Sequence, residues 1–130
     1  MDVPQNARTD VAHDDAATDE GGSRGISLDG WDVGTFDDLD WMPWGDGGKA
    51  RAKFLGSADG YMVTLVEAEA GYEGTPHEHS SAEFFYLIDG EVRNQGRTMR
   101  KGDGYAAGAG TFHADFATET GATYVVIFKL

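Results

Sequence analysis

The sequence predicts an all-β domain, a sandwich or barrel built from short strands. Three observations predict it. Short alternating, β-branched and aromatic segments follow one another from about residue 49 onward. Glycine is the commonest residue at 19 and proline is scarce at 3, which suits many tight turns. No helix of normal length is visible, and Ser80–Phe84 is too short to be one.

The elements follow in chain order. Residues 1–25 are acidic, with Asp2, Asp10, Asp14, Asp15, Asp19 and Glu20 against only Arg8 and Arg24. Large apolar residues are nearly absent there, so burial cannot offset an ordering entropy of roughly 1–2 kcal/mol per residue. A disordered acidic tail is expected over 1–25, with His13 as a solvated side chain, and a single barrel domain over 26–130. Between Ile26 and Trp44 lie Trp31, Phe36, Trp41 and Trp44, in a loop or short arm leading into the fold. Three tryptophans so close together imply packing onto the barrel or onto a second subunit. Strands are expected at Lys49–Leu55, Tyr61–Ala68, Glu83–Ile88, Val92–Arg93, Thr98–Met99, Phe112–Ala117 and Thr123–Lys129. Asp89-Gly90 reads as a hairpin turn, Asn94-Gln95-Gly96-Arg97 as a second turn and Lys101-Gly102-Asp103-Gly104 as a third.

A net charge of −13 argues against nucleic acid, which needs a basic face, and against an anionic membrane surface. The chain has no cysteine, which removes disulfides and thiolate metal sites. Its first residues carry no basic, apolar signal pattern, and no apolar stretch approaches membrane-spanning length. A soluble cytoplasmic protein is expected.

The chemistry concentrates in GYEGTPHEHSSAEFFYLIDG, Gly71 to Gly90. Side chains two apart on a strand face one side, so His77 and His79 present both imidazoles together. Glu83, Phe85 and Leu87 share their parity and are expected to point inward with them. Imidazole and carboxylate suit a first-row divalent cation such as Fe, Mn, Ni, Cu or Zn. The remaining histidine outside the tail is His113, in GDGYAAGAGTFHADF, at the start of another strand. Every histidine outside the tail thus belongs to one candidate constellation. By parity, Glu78, Phe84 and Tyr86 face the opposite side.

These two segments resemble the paired motifs of the cupin superfamily. The first, G-x5-H-x-H-x3,4-E-x6-G, fits Gly71, His77, His79, Glu83 and Gly90. The second, G-x5-P-x-G-x2-H-x3-N, fits Gly102, Gly110 and His113, with Gly108 in place of the proline and Ala117 in place of the asparagine. Neither departure removes a ligand. The resemblance implies a double-stranded β-helix, a jelly-roll barrel with one divalent transition metal inside one end, held by His77, His79, Glu83 and His113. Fe(II) is the favoured ion, with Mn, Ni, Cu or Zn as alternatives. A homodimer is also implied, with residues 31–55 as the candidate contact.

The fold does not determine the reaction. The first reading is a dioxygenase that cleaves a C–C bond in a small diketone, hydroxy-ketone or phenolic substrate. Phe54, Phe85, Leu87 and Phe112 are the expected apolar walls of its pocket. The second is a non-oxidative isomerase, cyclase or lyase, in which Tyr61, Tyr105 or Glu83 moves a proton. The third is a sensor that binds a metal or ligand and catalyses nothing.

Overall fold

A computed structural model describes residues 25–130. The expectations of a tail and of a solvated His13 concern residues outside that range, apart from Gly25. The chain divides into two units, Met1–Trp31 and Asp32–Leu130. In the described part of the first, a turn closes where the Trp31 N–H donates to the Leu28 carbonyl at 3.0 Å.

The second unit is β throughout, apart from one 3-10 turn at Phe36–Asp38. Its strands are β1 (Met42–Pro43), β2 (Ala50–Ala58), β3 (Tyr61–Ala68), β4 (His77–Glu78), β5 (Glu83–Asn94), β6 (Arg97–Arg100), β7 (Gly104–Ala107), β8 (Phe112–His113), β9 (Phe116–Ala117) and β10 (Ala122–Lys129). One sheet runs in the order β1-β2-β3-β10-β5-β6, with β7 and β9 also paired to β5, and β4-β8 forms a separate ladder. All pairs are antiparallel. This is the jelly-roll barrel expected of a cupin.

Two-residue turns with both residues at positive φ close two hairpins. Asp59 (φ 53°) and Gly60 (φ 84°) join β2 to β3, and Gln95 (φ 52°) and Gly96 (φ 78°) join β5 to β6. Such turns match the twist of the strands they connect. Asp89-Gly90, expected to be a hairpin turn, is not one. β5 runs through it for 12 residues, pairing with β10 and β7 in its first part and with β6 and β9 in its last. Gly90 (φ 91°) sits opposite Ala122, beside the register shift at Thr123/Tyr124. The strand bends there and crosses from one side of the barrel to the other.

Alternation on each strand sends one set of side chains inside. Val66, Leu87 and Val92 are fully buried, with Phe85, Phe116 and Tyr124 packed around them. Phe84 and Tyr86 are exposed on the outer face, as their parity requires. Of the three tryptophans expected to pack, Trp41 and Trp44 pack within the barrel unit, whereas Trp31 is 70% exposed. Trp44 lies against Phe54 and Phe128, while Trp41 meets Phe36 edge-on and takes the Arg51 guanidinium 3.9 Å above its ring. Lys53 ties down the arm, with its Nζ donating to the Phe36 carbonyl at 2.6 Å and lying 3.7 Å above the Phe36 ring.

Candidate metal centre

The β4-β8 ladder brings the two histidine segments together, with His77 directly opposite His113. Beyond it the His79 N–H donates to the Thr111 carbonyl and the Gly110 N–H to the His79 carbonyl, at 2.8 and 2.7 Å. The three rings stand 5.0 to 5.4 Å apart, centre to centre. Each offers one nitrogen, and these nitrogens lie within 4.8 Å of one another. His79 and His113 are buried, whereas His77 opens to solvent.

One nitrogen of each ring is already held. His77 Nδ1 meets the Thr75 carbonyl at 2.8 Å, His79 Nδ1 meets Thr111 Oγ1 at 3.0 Å, and His113 Nε2 meets Asn94 Oδ1 at 2.6 Å. The Thr111 hydroxyl donates in turn to the Gly108 carbonyl at 2.7 Å. Each partner can therefore accept, so each held nitrogen is the donor of its pair, and in a neutral ring the other nitrogen carries the lone pair. In the buried rings these other atoms, His79 Nε2 and His113 Nδ1, have no hydrogen-bond partner. A buried lone pair without a partner is costly unless something electrophilic meets it. Burial depresses the His113 pKa, and the neighbouring His79 and His77 add to this while Glu83 and Asp115 oppose it. The ring is thereby kept neutral, the form a cation needs. The donor set fits a transition metal.

Glu83 opens β5 at the edge of this group. Its Oε1 lies 3.5 Å from His79 Nε2, and its Oε2 accepts from the Tyr105 hydroxyl at 2.5 Å. Burial, and then the hydrogen bond to Glu83, push the Tyr105 phenol far above its ordinary range. Tyr105 is therefore a fixed donor to Glu83 rather than a free base. Its ring stacks on Phe85 with centres 4.8 Å apart. Tyr105→Phe keeps the stack and removes the donor. It is expected to destabilise the metal-free protein by about 1.5–3 kcal/mol, the usual contribution of a hydrogen bond to a charged group. Urea unfolding measures this, and an unchanged midpoint contradicts the pairing.

His77 and His113 open onto a cavity of about 420 Å³. His77, His113 and Glu83 line it together with Trp44, Tyr72, Phe85, Tyr105, Phe116, Tyr124 and Phe128. Among the described residues its charged walls are Asp46 and Glu83, and no lysine or arginine lines it. At the mouth the Thr75 hydroxyl donates to Asp46 Oδ2 at 2.8 Å, joining the β3–β4 loop to the β1–β2 loop.

Of the expected apolar walls, only Phe85 lines this cavity. Leu87 is fully buried in the core, and Phe54 packs on Trp44 without reaching the cavity surface. Phe112 is 57% exposed because it alternates with the inward His113. Tyr61 also fails to line the cavity. On β3 the buried residues are Thr64, Val66 and Ala68, so odd-numbered Tyr61 faces away from the core and lies near Lys129. The aromatic walls from β10 were missed, although Tyr124, Val126 and Phe128 alternate along the strand and that spacing could have found them. Tyr72, Phe116 and Asp46 come from short or irregular segments that carry no such signal.

Comparison with known proteins gives a family. The family model described as the ChrR Cupin-like domain matches residues 31–129. A pectin degradation protein, KdgF of Dickeya dadantii (strain 3937), is 29% identical over 102 residues, covering 72% of this chain and 87% of that protein. A candidate acetylacetone dioxygenase from Methylibium petroleiphilum PM1 superposes with a TM-score of 0.69 at 18% identity, over 82% of this chain and 80% of that one. An acetylacetone dioxygenase from Acinetobacter johnsonii gives a TM-score of 0.61 at 16% identity, over 82% of this chain and 72% of that one. At these identities the likeness to the solved structures is one of fold. The family match spans nearly all of the barrel unit and both histidine segments, and the chain belongs to the ChrR cupin-like domain family.

Proposed function

We propose that the chain is a metal-dependent dioxygenase acting on a small, flat, enolisable substrate such as a β-diketone, a hydroxy-ketone or a phenolic ketone. The observation that carries this reading is a three-histidine cluster, two of whose rings line an aromatic cavity that has no lysine or arginine among its described walls. His77, His79 and His113, with Glu83 beside them, are the residues to hold the ion, Fe(II) being favoured. When bound, the metal supplies Lewis acidity and, for iron, a redox partner for O2.

The chain's own residues do the rest. Three neutral imidazoles and one carboxylate leave a divalent ion at net +1, which matches the single negative charge of an enolised diketone or a phenolate. Tyr105 holds the Glu83 carboxylate through Oε2, leaving Oε1 toward the histidines. The rings of Trp44, Phe85 and Phe116 exclude water and offer flat faces to a planar ligand. The flat aromatic walls accord with a planar ligand and with the dioxygenase-like neighbours.

The test is O2 uptake. Metal-free protein is loaded with Fe(II) without air and then mixed with O2 and a panel of β-diketones and phenolic ketones. Uptake matched by loss of substrate is expected for at least one member. Substrate loss without O2 uptake moves the reading to a non-oxidative isomerase, cyclase or lyase. No turnover with any member leaves the binding or sensing reading in its place.

A further inference from the structure

We propose that Asp46, at the mouth of the aromatic cavity, is a specificity-determining residue that selects a substrate carrying a protonated amine at the end remote from the histidines. The inference rests on the dioxygenase-substrate reading of the cavity and deepens it by naming the charge of that substrate.

The β1–β2 loop builds the mouth. It closes where the Trp44 N–H donates to the Ala50 carbonyl at 3.0 Å. Gly45 (φ 66°) comes next and has no room for a side chain, because a Cβ there would lie 2.5 Å from the Tyr72 hydroxyl oxygen. The loop is thus pressed against the Tyr72 phenol, and the following residue, Asp46, reaches the cavity rim beside it. Tyr72 registers the carboxylate. Its phenol is raised above the ordinary range, by burial first and by the Asp46 charge second, so it stays a neutral ring. The Thr75 hydroxyl holds Asp46 Oδ2 from the other side of the mouth, at 2.8 Å.

This corner therefore sets a fixed carboxylate beside the rings of Trp44 and Tyr72. Among the described residues, no lysine or arginine pairs with Asp46. The cavity has no lysine or arginine on its described walls either, and its other charged wall is Glu83. Aromatic faces attract an ammonium through the ring quadrupole, and they do so more strongly where water is partly excluded. A carboxylate at the same place adds to that attraction, and it opposes an anionic group.

Charge counting points the same way. A divalent ion with Glu83 leaves +1 at the histidine end, which one enolate or phenolate neutralises. A plain diketone leaves the Asp46 charge at the mouth without a counterpart. A ligand with an enolate or phenolate at one end and an ammonium at the other neutralises both. The two ends are close enough for one small molecule, because Thr75 touches each of them. Its hydroxyl binds Asp46, and its carbonyl meets His77 Nδ1 at 2.8 Å.

Three phenols of similar size test this on the metal-free, full-length chain. Tyramine is a cation, 4-ethylphenol is neutral and 4-hydroxyphenylacetate is an anion. Their affinities are read at low salt from NMR titrations that follow the Trp44 indole N–H. Tyramine is expected to bind about 3–30-fold more tightly than 4-ethylphenol, the range of a cation over an aromatic face. The anion is expected to bind most weakly. Asp46→Asn keeps an acceptor for Thr75 and is expected to weaken tyramine about 5-fold while leaving 4-ethylphenol unchanged. Asp59→Asn removes the same charge at the far end of β2 and is expected to leave tyramine binding intact. That control separates a local contact from the general field of an acidic chain. Equal binding of tyramine and 4-ethylphenol, no binding of either, or equal losses of tyramine affinity in the two variants overturns the proposal. The dioxygenase reading fails separately. A tyramine preference that depends on Asp46, with no O2 uptake after Fe(II) loading, supports the role of Asp46 and sinks that reading alone.

Discussion

Replacing His79 by alanine is expected to lower affinity for a divalent transition metal by more than about 100-fold while leaving the barrel folded. Losing even an outer hydrogen-bond partner of a ligand costs about 10–100-fold, and His79 is proposed as a ligand itself. Its Nε2 is buried and has no hydrogen-bond partner, with Glu83 Oε1 3.5 Å away, so the metal-free fold draws no hydrogen bond from that atom. Its Nδ1 contributes one hydrogen bond to Thr111, whose hydroxyl remains anchored to Gly108. Truncating this buried ring also leaves a cavity, so the folded state loses about 2–4 kcal/mol in all. Chelator competition reads the first effect and the melting curve of the metal-free variant reads the second. Unchanged affinity would show that His79 is a core residue and not a ligand.

Gly90→Ala should be among the most damaging single-atom additions in the barrel. A Cβ at this position would lie 2.3 Å from the Gly121 carbonyl oxygen and 2.7 Å from the Ala122 Cα, and both are backbone atoms. They can yield only if β10 moves off β5. The φ of 91° adds strain for any residue with a side chain. Left-handed backbone costs roughly 1–2 kcal/mol and forced overpacking about 1–3 kcal/mol, so a loss of roughly 2–5 kcal/mol is expected. Denaturant unfolding measures it. A variant as stable as the parent would show that the bend in β5 does not depend on this close approach.

That same glycine marks where the sequence misleads. Asp-Gly between two apolar runs is a strong local signal for a hairpin, and local chemistry alone favours one. Tertiary packing overrides it, because β5 must cross the barrel and needs a residue without a Cβ where β10 passes. The strand signals themselves are local and most were readable, though Phe112–Ala117, expected as one strand, is broken at Ala114-Asp115 into β8 and β9, and β7 was not expected. Tyr61–Ala68 forms a strand with those bounds, and Thr123–Lys129 lacks only Ala122. The histidine cluster was readable for a similar reason. His77 and His79 announce a shared face by spacing, and His113 was the histidine left to join them.

The cavity was less legible. Strand parity correctly sent Phe85 inward, but parity says only which side of the sheet a residue faces. It does not separate Leu87, sealed in the core, from Phe85, on the cavity surface. That distinction depends on how the strands curl and how the β1–β2 and β3–β4 loops stand open, with Asp46 and Thr75 joined at the mouth. That Gln95 braces the His113 segment was also hidden. In sequence it is one residue of a turn, and its four hydrogen bonds reach Phe112, Ala114 and Asp115, 17 or more residues away.

The central claim, that three imidazoles from two separated segments converge on one transition-metal ion, is most directly tested by anomalous diffraction at the metal edge of crystals grown with Zn(II). One strong peak per chain is predicted, at about 2.0–2.2 Å from a nitrogen of each of residues 77, 79 and 113. A map with no peak among those three rings, or with its ions elsewhere on the acidic surface, would contradict it.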